Sequence, residues 1–327
     1  MYVEGTCTGM FELLEVIKNT AISVGWKLNK EKEHKLNEIP KNLKGCLFEG
    51  DKALIDDDAS TNGGKYYLTM PRAVSIAGID PSGGAGLIAD LKVFIAHEVY
   101  AMGVATSTTA QNTKGIFAME LISPKIISDG IKAIFDDIEV NAIKIGVVPS
   151  VEIIKEVAKT LREIKNLPPV VLDPVMACKN GDIWLEGEAK EYIVKELFPL
   201  ATIITPNKFE AQVILKNEIK TYEDALNSAK KLLDFGSKSV FLKVGDYEGK
   251  SLDIFYDGKE ILPLNTKRIK TDDTHGSGCS LSSAIASNLA NGKDLKNSVI
   301  CAKNYVFDAI EKSFKIGHLR CIVIFID

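Results

Sequence analysis

Cys279 stands in the first turn of what reads as a helix, behind a glycine-punctuated turn, in the stretch TDDTHGSGCSLSSAIASNLANG at residues 271–292. Unpaired backbone N–H groups and the positive end of the helix dipole favour an anion at such a start, and Gly276 and Gly278 let the backbone approach one closely. Thr274, Gly276, Ser277 and Gly278 are expected to offer N–H groups to a phosphoryl group in transfer. Cys279 would feel the same positive end, which predicts a lowered thiol pKa and some thiolate at neutral pH. His275 is read as structural, with no proton-transfer role. A glycine-rich loop before a buried helix explains the stretch too, and taken alone that is the stronger reading. Two further segments change the balance.

The first, SIAGIDPSGGAGLIADLKVF at residues 75–94, is another glycine-rich passage from strand to helix. Its GAGLIA matches the dinucleotide fingerprint GxGxxA, but the acidic residue that should follow about 20 positions on is missing, since no Asp or Glu lies between Glu98 and Glu120. Asp80 and Pro81 also intrude on the tight turn, so a nicotinamide or flavin enzyme is set aside. The second segment, TPNKFE at residues 205–210, holds an amide and a carboxylate three apart, Asn207 and Glu210. They can cap a helix reciprocally or offer oxygens to Mg²⁺, which keeps several waters, and both can hold together. Gln111, just past an uncharged strand, can donate and accept at once, as an aminopyrimidine edge requires; turn capping explains it equally well. Neither a GxxxxGK[ST] loop nor the protein-kinase pairing of HRD with DFG is present, so an ATP site here must be of another design.

Together AGIDPSGGAG, ADLK, AQNTKG, KIG, LDPVM, ITPNKFEA and THGSGC, in that order from about Arg72 to Gly317, resemble the hydroxymethylpyrimidine and hydroxymethylpyrimidine-phosphate kinases of thiamine biosynthesis, in the ribokinase-like superfamily. The resemblance implies a three-layer α/β/α sandwich with a mostly parallel central sheet. It implies Mg²⁺ and ATP, and phosphorylation of 4-amino-5-hydroxymethyl-2-methylpyrimidine and then of its monophosphate. Cys279 would be the base, where most of the superfamily has an aspartate. Gly78, Gln111, Val147 and Val175 would meet the pyrimidine, Asp90 its reacting side, Lys243 the ATP phosphates, and Asp173, Asn207 and Glu210 the metal. Three departures stand out: Val244 and Asp246 replace a glycine and a histidine of the family's KGGH, Val147 replaces a methionine, and no GxGP closure follows Lys315. A pyridoxal or pyridoxine kinase of the same superfamily is the nearest alternative, and a non-catalytic pyrimidine-binding regulator is one of another class.

The elements that would position these residues are legible from periodicity. Short β-branched runs alternate with helical periods from Ala73 onward, which implies a parallel sheet with helices on both faces. SLDIFYDGKEILPL departs from this, with two strand-like runs about Asp257 and Gly258 that predict an antiparallel hairpin. Gly78–Gly86, Gln111, Asp173, Asn207 and Lys243 all fall at or past strand ends, the rim where open parallel sheets bind ligands. Residues 1–71 differ in texture and end in DDDASTNGGK, read as a linker; residues 72–317 form the kinase domain and 318–327 an atypical apolar tail. The 327 residues are 46% hydrophobic with a net charge of −4, so neither nucleic acid nor an anionic membrane is an expected partner. No leader or membrane span is read, the six cysteines are scattered singly, and the expected setting is cytoplasmic, with small-molecule partners and a homo-oligomer left open.

Overall fold

The computed structural model describes the strands Lys27–Leu28 (β1), Gly45–Glu49 (β2), Lys52–Asp56 (β3) and Tyr66–Thr69 (β4), then residues 70–176, 188–247, 249–269 and 275–321. The chain divides into two units, residues 1–71 with 98–100, and residues 72–97 with 101–327. In the first, an antiparallel sheet runs in the order β1-β4-β3-β2. Strands β3 and β4 pair, Ile55 opposite Tyr66, and the stretch DDDASTNGGK, read above as a linker, lies outside the described residues from Asp57 on. The amphipathic piece expected near Phe11–Val24 lies outside the described residues.

The second unit is built on a nine-stranded sheet of Arg72–Ile79 (β5), Tyr100–Asn112 (β6), Gly115–Leu121 (β7), Ala142–Ile145 (β8), Val170–Leu172 (β9), Ile203–Ile204 (β10), Val240–Tyr247 (β11), Lys250–Tyr256 (β12) and Ile261–Lys267 (β13). The order across it is β13-β12-β11-β10-β9-β8-β5-β6-β7. Its centre is parallel, from β5 through β8, β9 and β10 to β11, and each edge is an antiparallel hairpin. The predicted hairpin is β12–β13, turning at Gly258 with φ +88°. Every residue of β8, β9 and β10 is buried, and since alternate side chains point to opposite faces, both faces are covered.

The covering helices are Gly86–Ala96 (α1), Pro124–Asp137 (α2), Val151–Glu163 (α3), Ala189–Tyr192 (α4), Lys208–Leu215 (α5), Tyr222–Leu233 (α6), Ser277–Ala290 (α7) and Leu295–Glu311 (α8). Periodicity and capping explain them. In α3 the hydroxyl of Ser150 accepts the N–H of Ile153 at 3.2 Å, and Ile153, Ile154, Val157 and Leu161 form a buried stripe, each aliphatic contributing about 1.5–3 kcal/mol. The segments of α2 and α6 carry the same signals, with Ser123 and Thr221 as N-caps. Helix α7 is buried from Ser280 to Asn288, and its Ser and Ala side chains are small enough for close packing against α1, β5, β8 and β9. After α8, Phe314–Ile316 (β14) and Leu319–Cys321 (β15) pair about Gly317, φ +62°, and the N–H of His318 donates to Thr113 Oγ1 at 3.0 Å. The expected tail boundary therefore falls inside a hairpin turn, and the IVIFI run lies outside the described residues.

Candidate active site

Helices α1 and α7 begin side by side, and glycines allow it. A Cβ on Gly276, φ +82°, would run into the carbonyl oxygen of Gly84, and one on Gly86, φ +59°, into that of Gly78. Asp80 organises the junction: its carboxylate accepts the N–H groups of Ser82 at 2.9 Å and Ala85 at 3.1 Å and the Ser82 hydroxyl at 2.7 Å, with His275 Nε2 at 3.4 Å. Burial alone would raise the Asp80 pKa, but hydrogen bonds from His275 and Ser82 hold it below the usual carboxylate value. The contact of His275 with Asp80 ties the α7 start to the first glycine loop.

Cys279 is the third residue of α7, half-buried, with its thiol against the Gly86 N–H. Its pKa moves opposite to the direction a helix start alone predicts. Burial pushes the thiol up to about 11; Lys144 pulls it down, while Asp90 and Asp173 push it up again. Desolvation of the anion, with two carboxylates near, outweighs the helix start. Beneath it, Asp90 takes hydrogen bonds from Ser75 at 2.6 Å, Lys144 at 2.7 Å and Ser283 at 2.7 Å. Asp90 and Lys144 side chains are both 0% exposed. Burial alone would push the Lys144 ammonium down, but Asp90 holds it above its ordinary value. Asp90 therefore supports the floor under Cys279 and is not among the residues that line the cavity.

On the other side of α7, Lys243 Nζ donates to Asp173 Oδ1 at 3.0 Å, and Thr205 Oγ1 donates to the same oxygen at 3.0 Å. A Cβ on Gly278 would lie 3.3 Å from Lys243 Nζ and 3.5 Å from Asp173 Oδ2, so the pair abuts the start of α7. Val244 is the unpaired residue of a β-bulge, the ladder being shifted between Lys243 and Gly245, and Asp246 pairs with Ser251 just beyond it. Asn207 and Glu210 form the predicted reciprocal cap: Glu210 N–H donates to Asn207 Oδ1 at 2.9 Å, and Asn207 N–H to Glu210 Oε2 at 2.7 Å. Burial pushes the Glu210 carboxyl up to about 7, with Lys243 opposing and Asp173 adding to the shift. No group of three or more His, Cys, Asp or Glu placed to hold a metal occurs among the described residues. Asp173 and Glu210 nevertheless offer hard oxygen donors whose mutual repulsion a cation would relieve, which fits a Mg²⁺ held largely by water and phosphate.

One cavity of about 550 Å³ joins these parts. It reaches Gly78, Gln111, Val147, Asp173, Val175, Asn207, Glu210, Lys243, Gly276, Ser277, Gly278 and Cys279. Of the expected site residues only Asp90, underneath, and Thr274, outside the described residues, are absent from its wall. At one end Gln111 sits opposite a bulge in β7, where Phe117 is skipped in the ladder, with Oε1 3.1 Å from Thr109 Oγ1, the same hydroxyl lying 3.1 Å from the Ile79 carbonyl. At the other end Lys303 pairs with Asp253 at 2.5 Å and Ser251 at 3.0 Å, beside Val306, Phe307 and Ile310. Sequence reasoning missed Lys144 and the Lys303–Asp253 pair, yet a signal was there. Lone charges in AIKI and SLDIF, runs otherwise apolar enough to be buried, demand partners.

A cavity with a glycine-flanked helix start in its wall and polar side chains beside it suits a small-molecule phosphotransferase, and with this sheet the class is the ribokinase-like kinases. The chain belongs to the phosphomethylpyrimidine kinase family, whose description matches residues 80–323. A hydroxymethylpyrimidine/phosphomethylpyrimidine kinase of Aquifex aeolicus is 38% identical over 75% of this chain and 96% of its own. The crystal structure of a phosphomethylpyrimidine kinase from Clostridium difficile is 42% identical, covers 73% of this chain and 99% of that chain, and superposes with a TM-score of 0.66. An ADP complex of Bacillus subtilis pyridoxal kinase is 36% identical, covers 77% of this chain and 96% of that chain, and has a TM-score of 0.71. Among the described residues no helix is long and apolar enough to cross a membrane.

Proposed function

We propose that this kinase transfers the γ-phosphoryl group of ATP to the hydroxyl of 4-amino-5-hydroxymethyl-2-methylpyrimidine, and then to the resulting monophosphate, giving the diphosphate used in thiamine biosynthesis. The observation that carries this reading is the position of Cys279 and the α7 start between the Gln111 end and the Lys303 end of one cavity. The Gln111 end takes the pyrimidine and the Lys303 end the nucleotide. The hydroxymethyl oxygen attacks the γ-phosphorus in line, and its proton passes to Cys279 Sγ once the thiol is ionised; a monophosphate oxygen is already ionised and needs no such help.

Backbone N–H groups at Gly276, Ser277 and Gly278 stabilise the charge on the group in transfer, and Lys243 can exchange Asp173 for a phosphate oxygen. Asp173, Glu210 and, through water, Asn207 would hold Mg²⁺, which supplies charge neutralisation at the phosphates. The reading places the protein among small-molecule partners in the cytoplasm. Similarity to a pyridoxal kinase favours a second reading, pyridoxal as the alcohol. A coupled assay of ADP release with the pyrimidine alcohol, its monophosphate and pyridoxal separates them: the proposal expects the highest kcat/KM on the pyrimidines, and a preference for pyridoxal would overturn it.

A further inference from the structure

Strand β6 presents Ser107, Thr109 and Gln111 to the cavity on one face, as the two-residue period of a strand requires. Two of the three already have protein partners. Thr109 lies within hydrogen-bond reach of Ile79 and Gln111, and Gln111 Oε1 is reached by Thr109. Ser107 is different: it is 1% exposed, and its hydroxyl has no hydrogen-bond partner among the described residues. A buried hydroxyl without a partner is unfavourable, which makes such a group in a cavity wall a pointer to a ligand. Gly78 keeps the approach to it open, since a Cβ there would lie 2.6 Å from Ser107 Oγ and 3.8 Å from Val147 Cβ.

A flat aminopyrimidine carries its amino group beside one ring nitrogen, and its second ring nitrogen faces away from that edge. Gln111 can answer only the first edge. A single hydroxyl, able to donate one hydrogen and accept two, is sufficient for the other. We infer that Ser107 is the second polar contact to the pyrimidine ring, donating its hydroxyl hydrogen to the ring nitrogen that Gln111 does not reach, and so helps to select the substrate. The inference rests on the pyrimidine kinase reading above and adds to it a residue and a bonding direction.

The test is steady-state kinetics of the full chain and of Ser107→Ala and Ser107→Cys, with the pyrimidine alcohol and MgATP, alongside the melting temperature without substrate. Both variants should raise the KM for the pyrimidine about 3- to 10-fold, the size of a lost neutral hydrogen bond, with kcat within about twofold and the KM for ATP unchanged. The melting temperature of Ser107→Ala should stay level or rise, because the variant removes a buried hydroxyl that no protein group satisfies. An unchanged pyrimidine KM overturns the inference and leaves the kinase reading intact. A fall in melting temperature with both KM values raised overturns it in favour of a packing role, as does a Cys variant that behaves like the parent while the Ala variant is impaired. A parent chain that turns over pyridoxal but not the pyrimidine removes the kinase reading and this inference with it.

Discussion

A thiol at about 11 holds its proton at neutral pH, so the first phosphorylation should be limited by how rarely Cys279 is ionised. With Cys279 as the proposed base the active form is the deprotonated one, and its pKa is raised, so kcat/KM for the alcohol should climb about tenfold per pH unit from 7 toward 9, while the monophosphate, already ionised above about pH 6, should give a nearly flat profile. Parallel profiles for the two substrates would remove Cys279 from the role of base. Cys279→Ala should lower kcat on the alcohol by about 10² to 10⁴ and leave ATP binding nearly unchanged. Gln111→Leu should weaken pyrimidine binding by about 1–3 kcal/mol without moving ATP affinity, as calorimetric titration would read; equal loss of both would mark a structural glutamine.

Helix α7 does its work because of what lies under it. The Asp90 and Lys144 pair, on α1 and β8, tied to Ser75 on β5 and Ser283 on α7, is a buried polar network joining four elements at the floor of the site. Removing one member strands the other's charge, so Lys144→Met should cost about 3–5 kcal/mol in chemical denaturation, whereas the double change of Lys144 and Asp90 to apolar residues should recover much of that loss. A Lys144→Met variant as stable as the parent would show that the pair is incidental to the packing of α7. Loss of the network should also misplace the α7 start and depress kcat. The glycines act at the same scale: a side chain at Gly276 cannot coexist with the Gly84 carbonyl, so the two loops must separate if it is replaced.

At the scale of the whole molecule, the kinase reading belongs to the second unit. The Aquifex relative is covered over 96% of its length by a match that takes up 75% of this chain, and every residue of the cavity wall lies within residues 72–97 or 101–327. A chain beginning at Met70 should therefore fold and turn over the pyrimidine at a rate within a fewfold of the full chain. An insoluble or inactive product would show that the first unit completes the second. A cut after Gly317 would sever the β14–β15 turn; soluble, active enzyme after that cut would show that the hairpin is dispensable.

Much of this molecule is legible in the chain itself. Apolar runs in β8, β9 and β10, serine caps before α2 and α3, and glycines before α1 and α7 are local signals, and they announce a parallel sheet with an anion-binding rim because periodicity and backbone freedom act over a few residues. Asn207 and Glu210 behave as their three-residue spacing says. What the tertiary structure alone decided is electrostatic and long-range. It set Asp90 against Lys144 under the cavity, paired Lys243 with Asp173, and left the Ser107 hydroxyl without a partner among the described residues. It also raised the Cys279 pKa where a helix start taken alone predicts a lowered one. Desolvation and charge pairing depend on which groups meet across some tens to hundreds of residues of sequence, and that is settled only when the strands take their order in the sheet.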